Sequence, residues 1–120
     1  MNKPLTFLLA LTFLFLFSVF ALGQKTVKKK YYDNRNLKRE THFKNRKRDG
    51  PEIRWYPSGI KFIETHYKDG KKEGLWTYWY ADGTKEREEH YKNGKKEGLW
   101  TYWYADGTKE REESYKNGNR

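Results

Sequence analysis

At 120 residues the chain has room for one small domain, and much of its 35% hydrophobic content lies in the first two dozen positions, which leaves little for a conventional core. There is no cysteine, which excludes both a disulfide framework and a thiolate metal site. The net charge of +10 is uneven: residues 24–49 carry eleven Lys and Arg against three acids, a balance of +8, whereas residues 50–120 carry fourteen against thirteen, a balance of +1.

The chain opens with the cationic stretch Met1-Asn2-Lys3, followed by an almost unbroken Leu and Phe run from Pro4 to Val19. Five of the seven Phe lie in this segment, and Ala21-Leu22-Gly23 supplies small residues where signal peptidase reads. Residues 1–23 read as a secretory signal cleaved before Gln24, so the expected location is the periplasm, the cell surface or the medium. The run from Leu5 to Leu22 also approaches the roughly 20 residues of a membrane-spanning helix, which keeps an uncleaved hydrophobic anchor helix as the alternative.

Residues 24–49 form a basic segment. Its candidate anion-binding residues are Lys28, Lys29, Lys30, Lys38, Arg39, Arg46, Lys47 and Arg48. Such a cluster is either a solvated tail or an attachment to anionic lipid or another polyanion, each basic group near a membrane contributing on the order of 1 kcal/mol. Charge alone would also admit nucleic acid, against which export argues.

From Gly74 the chain becomes periodic. The stretch from Gly74 to Gly94 returns as Gly98 to Gly118, broken only where His90 becomes Ser114. A 24-residue period marks an array whose units bury their apolar sides by stacking on one another. Three repeats follow, 50–73, 74–97 and 98–120. One step further back, Tyr31, Tyr32, Glu40, Thr41, His42, Phe43 and Lys44 stay in register, but Arg35 and Arg46 replace the turn glycines, which leaves open whether residues 26–49 form a hairpin.

Each unit alternates a strand rich in aromatic residues, Asp-Gly, a charged strand and Asn-Gly, and these pairs favour tight hairpin turns. The predicted fold is therefore all-β: a single-layer antiparallel meander of tandem hairpins. With two-residue loops at both turns, Ala81 pairs with Thr84, Tyr80 with Lys85, Tyr78 with Arg87, Trp76 with Glu89 and Gly74 with Tyr91. One face then carries Trp76, Tyr78, Tyr80 and Tyr91, and the next unit adds Trp100, Tyr102 and Tyr104, with Lys85 and Arg87 placed for cation-π contacts. The opposite face carries Leu75, Thr77, Trp79, Glu86, Glu88 and His90. Tyr91 is expected to lay its ring over Gly74, and the last strand forms a charged open edge.

The segment G-L-W-T-Y-W-Y-A-D-G-T followed by E-E-H-Y-K-N-G-K-K-E-G resembles MORN repeats (membrane occupation and recognition nexus), in the bacterial variant found in antitoxin-like proteins. The resemblance covers residues 50–120 well and 26–49 poorly. It implies a twisted hairpin array that serves as a scaffold for protein or lipid contacts.

The pattern offers no catalytic chemistry and calls for no cofactor. His42, His66 and His90 recur with the period, but equivalent positions lie two strands apart, roughly 9.5 Å, too far to converge on a metal ion. His66 and His90 are instead expected to pair with Glu73 and Glu97, and Glu86, Glu88 and Glu89 to form a solvated salt-bridge ladder. The chain after Gln24 has only Ser58 and Ser114 as serines, so no activated nucleophile is built. The candidate binding residues are the aromatic platform Trp55, Trp76, Tyr78, Trp79, Tyr80, Trp100, Tyr102, Trp103 and Tyr104. The rings serve either as the core of a thin sheet or as a docking platform, and Trp79 and Trp103 are the better ligand candidates. The expected function is a non-enzymatic scaffold for a partner protein or cell-envelope component, with no small-molecule substrate. Anionic lipid binding, wall-glycan binding and an antitoxin role are the alternatives.

Overall fold

The computed structural model describes residues 23–120, so the expected signal or anchor helix falls outside the described residues except for Gly23. The described chain is one antiparallel sheet built from β1 (Lys25–Tyr31), β2 (Leu37–Lys44), β3 (Lys47–Trp55), β4 (Lys61–Lys68), β5 (Lys71–Lys72), β6 (Gly74–Trp79), β7 (Lys85–Lys92), β8 (Lys95–Lys96), β9 (Gly98–Trp103) and β10 (Lys109–Tyr115). The spatial order β1-β2-β3-β4-β6-β7-β9-β10 follows the chain, with β5 pairing on β4 and β8 on β7, which is the expected meander.

The basic segment does form a hairpin, from β1 and β2, while Lys47, Arg48 and Asp49 open β3 of the next one. The β1 to β2 ladder runs from Lys25 opposite Lys44 to Tyr31 opposite Leu37. Where the other copies have glycine, the turns impose left-handed backbone on Arg35 (φ 70°) and Arg46 (φ 65°). Such a conformation costs a residue with a Cβ roughly 1–2 kcal/mol, so the first hairpin keeps the shape of the others at the expense of local strain.

The two turn types differ, and this corrects the expected register. Asn93 (φ 51°) and Gly94 (φ 82°) make the two-residue turn, with Lys92 opposite Lys95. At Asp82-Gly83 the loop is one residue longer. Tyr80 donates its N–H to the Thr84 carbonyl at 2.8 Å, Gly83 donates to the Tyr80 carbonyl at 3.0 Å, and only Gly83 (φ 90°) is left-handed. This is a type I turn closed by a glycine bulge. The pairs from Gly74–Tyr91 to Tyr78–Arg87 stand as expected, but the next pair is Trp79 with Lys85, which leaves Glu86 bulged. The bulge turns Lys85 to the face of Trp79, away from the ring face.

A second irregularity joins successive hairpins. Tyr91 opposes Lys96, yet Arg87 opposes Tyr102, a two-residue shift taken up around Gly98 at φ 69°. Gly74 (φ 72°) occupies the same place one unit earlier, and a Cβ added there would meet nothing within 4 Å. The Tyr91 ring therefore does not cover Gly74. This glycine is needed for its backbone conformation.

A shift of two residues preserves the face, so Trp76 and Trp100 lie on the same side and are buried, at 5% and 4% exposure. Their rings alternate with tyrosines in a row, Tyr67, Trp76, Tyr91, Trp100 and Tyr115, with centroid separations of 5.4, 4.9, 5.3 and 4.9 Å. These tilted contacts are the arrangement the ring quadrupoles favour. The row serves as the core that a one-layer sheet otherwise lacks.

Candidate binding surfaces

Cations cover the ring row. Lys72 Nζ lies 4.5 Å from the Trp76 centroid and 4.7 Å from that of Tyr91, and Lys96 repeats this over Trp100 and Tyr115 at 4.3 and 4.7 Å. Beside it, Arg87 sits 3.8 Å over Tyr78 and Arg111 sits 3.7 Å over Tyr102. Of the expected pair, Arg87 joins this face. Lys85 lies 5.7 Å from the Trp103 ring on the opposite face, as Lys61 does from Trp79 at 5.8 Å.

Between the two ring rows runs a line of carboxylates that corrects the solvated-ladder expectation for Glu89. Glu52 and Glu89 are buried, at 3% and 5% exposure. Glu52 accepts from Arg54 at 2.7 and 3.0 Å and from the Thr41 hydroxyl at 3.3 Å. Glu89 accepts from the Tyr91 hydroxyl at 2.9 Å, and Arg87 Nε stands 3.1 Å away. One repeat later Glu113 accepts from the Tyr115 hydroxyl at 2.6 Å and from Arg111 at 3.2 Å, bonds that hold its carboxyl below the usual range. Burial and the neighbouring Glu89 push the Tyr91 hydroxyl pKa upward, and Tyr78 shifts the same way for the same reasons. The signal for this line is the register, which places Glu89 opposite Trp76 on the ring face, but the charges flanking Glu89 mask it.

Two further ladders tie hairpin to hairpin along the margins. On one, Tyr32, Tyr56 and Tyr80 donate their hydroxyls to the carbonyls of Trp55, Trp79 and Trp103 at 2.7, 2.9 and 2.8 Å. On the other, Asp49, Glu73 and Glu97 accept the backbone N–H of Asp69, Asn93 and Asn117 at 3.1, 2.9 and 2.9 Å. Glu73 and Glu97 thus cap the following turns and do not pair with the His66 and His90 side chains. Only their backbone N–H groups reach those histidine carbonyls. His42 instead contacts Glu40 at 2.8 Å. Among the described residues no cluster of acids and histidines is arranged to hold a metal ion.

The nine platform residues therefore divide by role. Trp76 and Trp100 are core, Tyr78 and Tyr102 lie under arginines, and Tyr80 is a rung of the margin ladder. Tyr104 is 53% exposed. Trp55, Trp79 and Trp103 are half-buried on the opposite face at 24-residue intervals. Leu75 and Leu99, at 38% and 44% exposure, share that face with Trp79 and Trp103.

The basic residues are similarly dispersed. Lys29 pairs with Glu40 at 3.6 Å, Lys28 lies over Phe43, and Arg48 is engaged by Tyr67 and Glu52. Arg46 sits in a turn with Lys47 beside it. Lys30, Arg39 and Arg54, however, oppose one another directly on three adjacent strands. Together with Lys38, Tyr32, Trp55 and Phe62 they line a cavity of about 320 Å³. Arg54 was not foreseen in this group. It stands where later repeats have Tyr78 and Tyr102, a substitution visible only once the copies are aligned.

The MORN repeat variant matches residues 48–69, 72–93 and 96–117, three segments spaced by 24 residues. The chain belongs to the MORN-repeat family. Each matched MORN segment spans one hairpin, β3–β4, β6–β7 or β9–β10, and ends within the Asp-Gly or Asn-Gly turn. The hairpin β1–β2 lies outside the matched segments while sharing their geometry. No curated protein and no solved structure matches the chain significantly.

Proposed function

We propose that this MORN-repeat chain is an exported, non-enzymatic scaffold that holds a partner protein or envelope component on the face bearing Trp55, Trp79 and Trp103. The observation that carries this reading is the unequal use of the two faces. The ring face commits Trp76 and Trp100 to packing, whereas the other leaves three tryptophans half-exposed at a fixed repeat, with Leu75 and Leu99 beside the later two. Tryptophans of this kind are the residues that anchor interfaces. Residues 1–23 have the composition of an export signal, which supports an envelope setting. The test is fractionation of cells producing the full chain or its Trp79→Ala/Trp103→Ala variant. Loss of envelope retention with normal export supports the proposal, and retention equal to wild type overturns it. Mass spectrometry of the mature N-terminus tests export itself.

A second reading, attachment to an anionic surface, is favoured by the Lys30–Arg39–Arg54 alignment. Like charges directly opposite in a sheet are destabilising, and a bound anion would relieve them. Sedimentation with anionic vesicles at low and high salt separates the readings, since Coulombic attachment weakens with ionic strength and an aromatic anchor does not.

A further inference from the structure

The outer strands of the sheet, β1 and β10, carry opposite charge and complementary places in the repeat. β1 presents Lys25, Lys28, Lys29 and Lys30, and β10 presents Glu110, Glu112 and Glu113 alongside Lys109 and Arg111. Among the described residues the outer edge of each pairs with no strand, and such an edge is a template for another chain. We propose that β10 of one copy pairs with β1 of a second copy, so that molecules join head to tail in one continuing sheet.

The register follows from the array itself. Wherever the second strand of a hairpin meets the first strand of the next, the pairing is equivalent: Arg39 with Arg54 and Glu40 with Ile53, Ile63 with Tyr78 and Glu64 with Thr77, Arg87 with Tyr102 and Glu88 with Thr101. β10 is a second strand and β1 is a first strand. One more step places Arg111 opposite Lys30 of a second copy and Glu112 opposite Lys29, and the β2–β3 junction, where Thr41 opposes Glu52, adds Glu113 opposite Lys28. Opposite charges at facing positions favour this pairing, whereas Lys facing Lys or Glu facing Glu disfavours β1–β1 or β10–β10 contacts. The one like pair, Arg111 with Lys30, is moderated because Arg111 is already held by Glu110, Glu113 and the Tyr102 ring.

The margin ladder gives an independent sign of the same partner. Its three rungs join a tyrosine to the carbonyl 23 residues later. The fourth donor, Tyr104, is 53% exposed, and Tyr31, which occupies the acceptor position at the other end of the array, is 58% exposed. Head-to-tail pairing brings the Tyr104 hydroxyl to the Tyr31 carbonyl of the second copy. Because the two surfaces differ, the contact is heterologous, and each added copy offers the same two edges again.

The absence of cysteine makes the test direct. Lys30 and Arg111, whose equivalents are paired at all three junctions, are exposed and lie seven strand spacings apart, about 34 Å, too far for a disulfide within one chain. The full-length Lys30→Cys/Arg111→Cys variant, mildly oxidised, should give a ladder of dimers, trimers and higher multiples that collapses on reduction. Adding Lys29→Glu should abolish the ladder, and adding Glu112→Lys as well should restore it, which separates pairing from misfolding and from aggregation through residues 1–23. A ladder no stronger than that of the control Lys61→Cys/Arg111→Cys, or one indifferent to Lys29→Glu, overturns the proposal.

Discussion

The hydroxyl of Tyr80 donates to the carbonyl oxygen of Trp103 at 2.8 Å, joining the bend of one hairpin to the end of the strand in the next. This bond is the side-chain link at a margin where two hairpins share few ladder bonds, since β7 and β9 pair only through Arg87–Tyr102 and Glu88–Thr101. Tyr80→Phe removes the donor and keeps the ring. The expected cost is about 1 kcal/mol, read from the urea midpoint. Tyr104→Phe, which breaks no such bond within the described residues, should leave the dilute protein unchanged.

Tyr91 lies between Trp76 and Trp100 and so belongs to two hairpins at once. Tyr91→Ala should cost roughly 3 kcal/mol, at the low end for a large aromatic because the ring is only half-buried, against about 1 kcal/mol for Thr77→Ala. The loss falls on the junction between units, so the denaturant transition should also broaden, with hydrogen exchange rising first in β9 and β10.

Glu89 is the buried member of a charged strand, with Arg87 at 3.1 Å and the Tyr91 hydroxyl at 2.9 Å. Glu89→Ala strands Arg87 without its carboxylate and should destabilise by about 3 kcal/mol. Glu86→Ala, at the bulge, should stay within about 0.5 kcal/mol. Equal effects at the two positions in thermal melts would contradict the burial difference.

The tyrosines of the ring face supply a pH signature. Burial and Glu89 raise the hydroxyl pKa of Tyr78 and Tyr91, burial and Glu113 raise that of Tyr102, and the hydrogen bond to Glu113 followed by burial raises that of Tyr115. A group whose folded pKa exceeds its unfolded value contributes fully below the unfolded pKa, about 10 for tyrosine, and loses that contribution as pH rises through the folded value. These tyrosines should therefore leave stability flat from neutral pH to about pH 10 and lower it above that, in step with tyrosinate absorbance near 295 nm, whereas Glu113, whose carboxyl is held low, loses its contribution only on the acid side.

The sequence made the meander, the 24-residue period and the shared face of Trp76 and Trp100 legible, because strict alternation between identical turns leaves few registers. The Asp82-Gly83 bend was not, since Asp-Gly serves both a two-residue turn and a type I turn with a bulge. What decides between them is local: the Asp82 carboxylate accepts from the Thr84 N–H and hydroxyl at 2.9 and 2.6 Å, with Asp82 itself outside the left-handed region. The displaced face of Lys85 follows from that one residue. The burial of Glu89 was hidden by its flanking charges, and the convergence of Lys30, Arg39 and Arg54 by reading the basic segment as a linear run when the copies place these residues on successive strands.

The glycine hinge at Gly74 and Gly98 carries a final consequence. Because the same offset and the same positive φ recur at each junction, a new hairpin needs no residue redesigned on either side of it. Copying a stretch of 24 codons lengthens the ribbon by one finished module, and deleting it shortens the ribbon by one. The near-identity of residues 74–94 and 98–118 is the trace such copying leaves. Reach, and not shape, is the property this architecture lets a genome adjust in a single event.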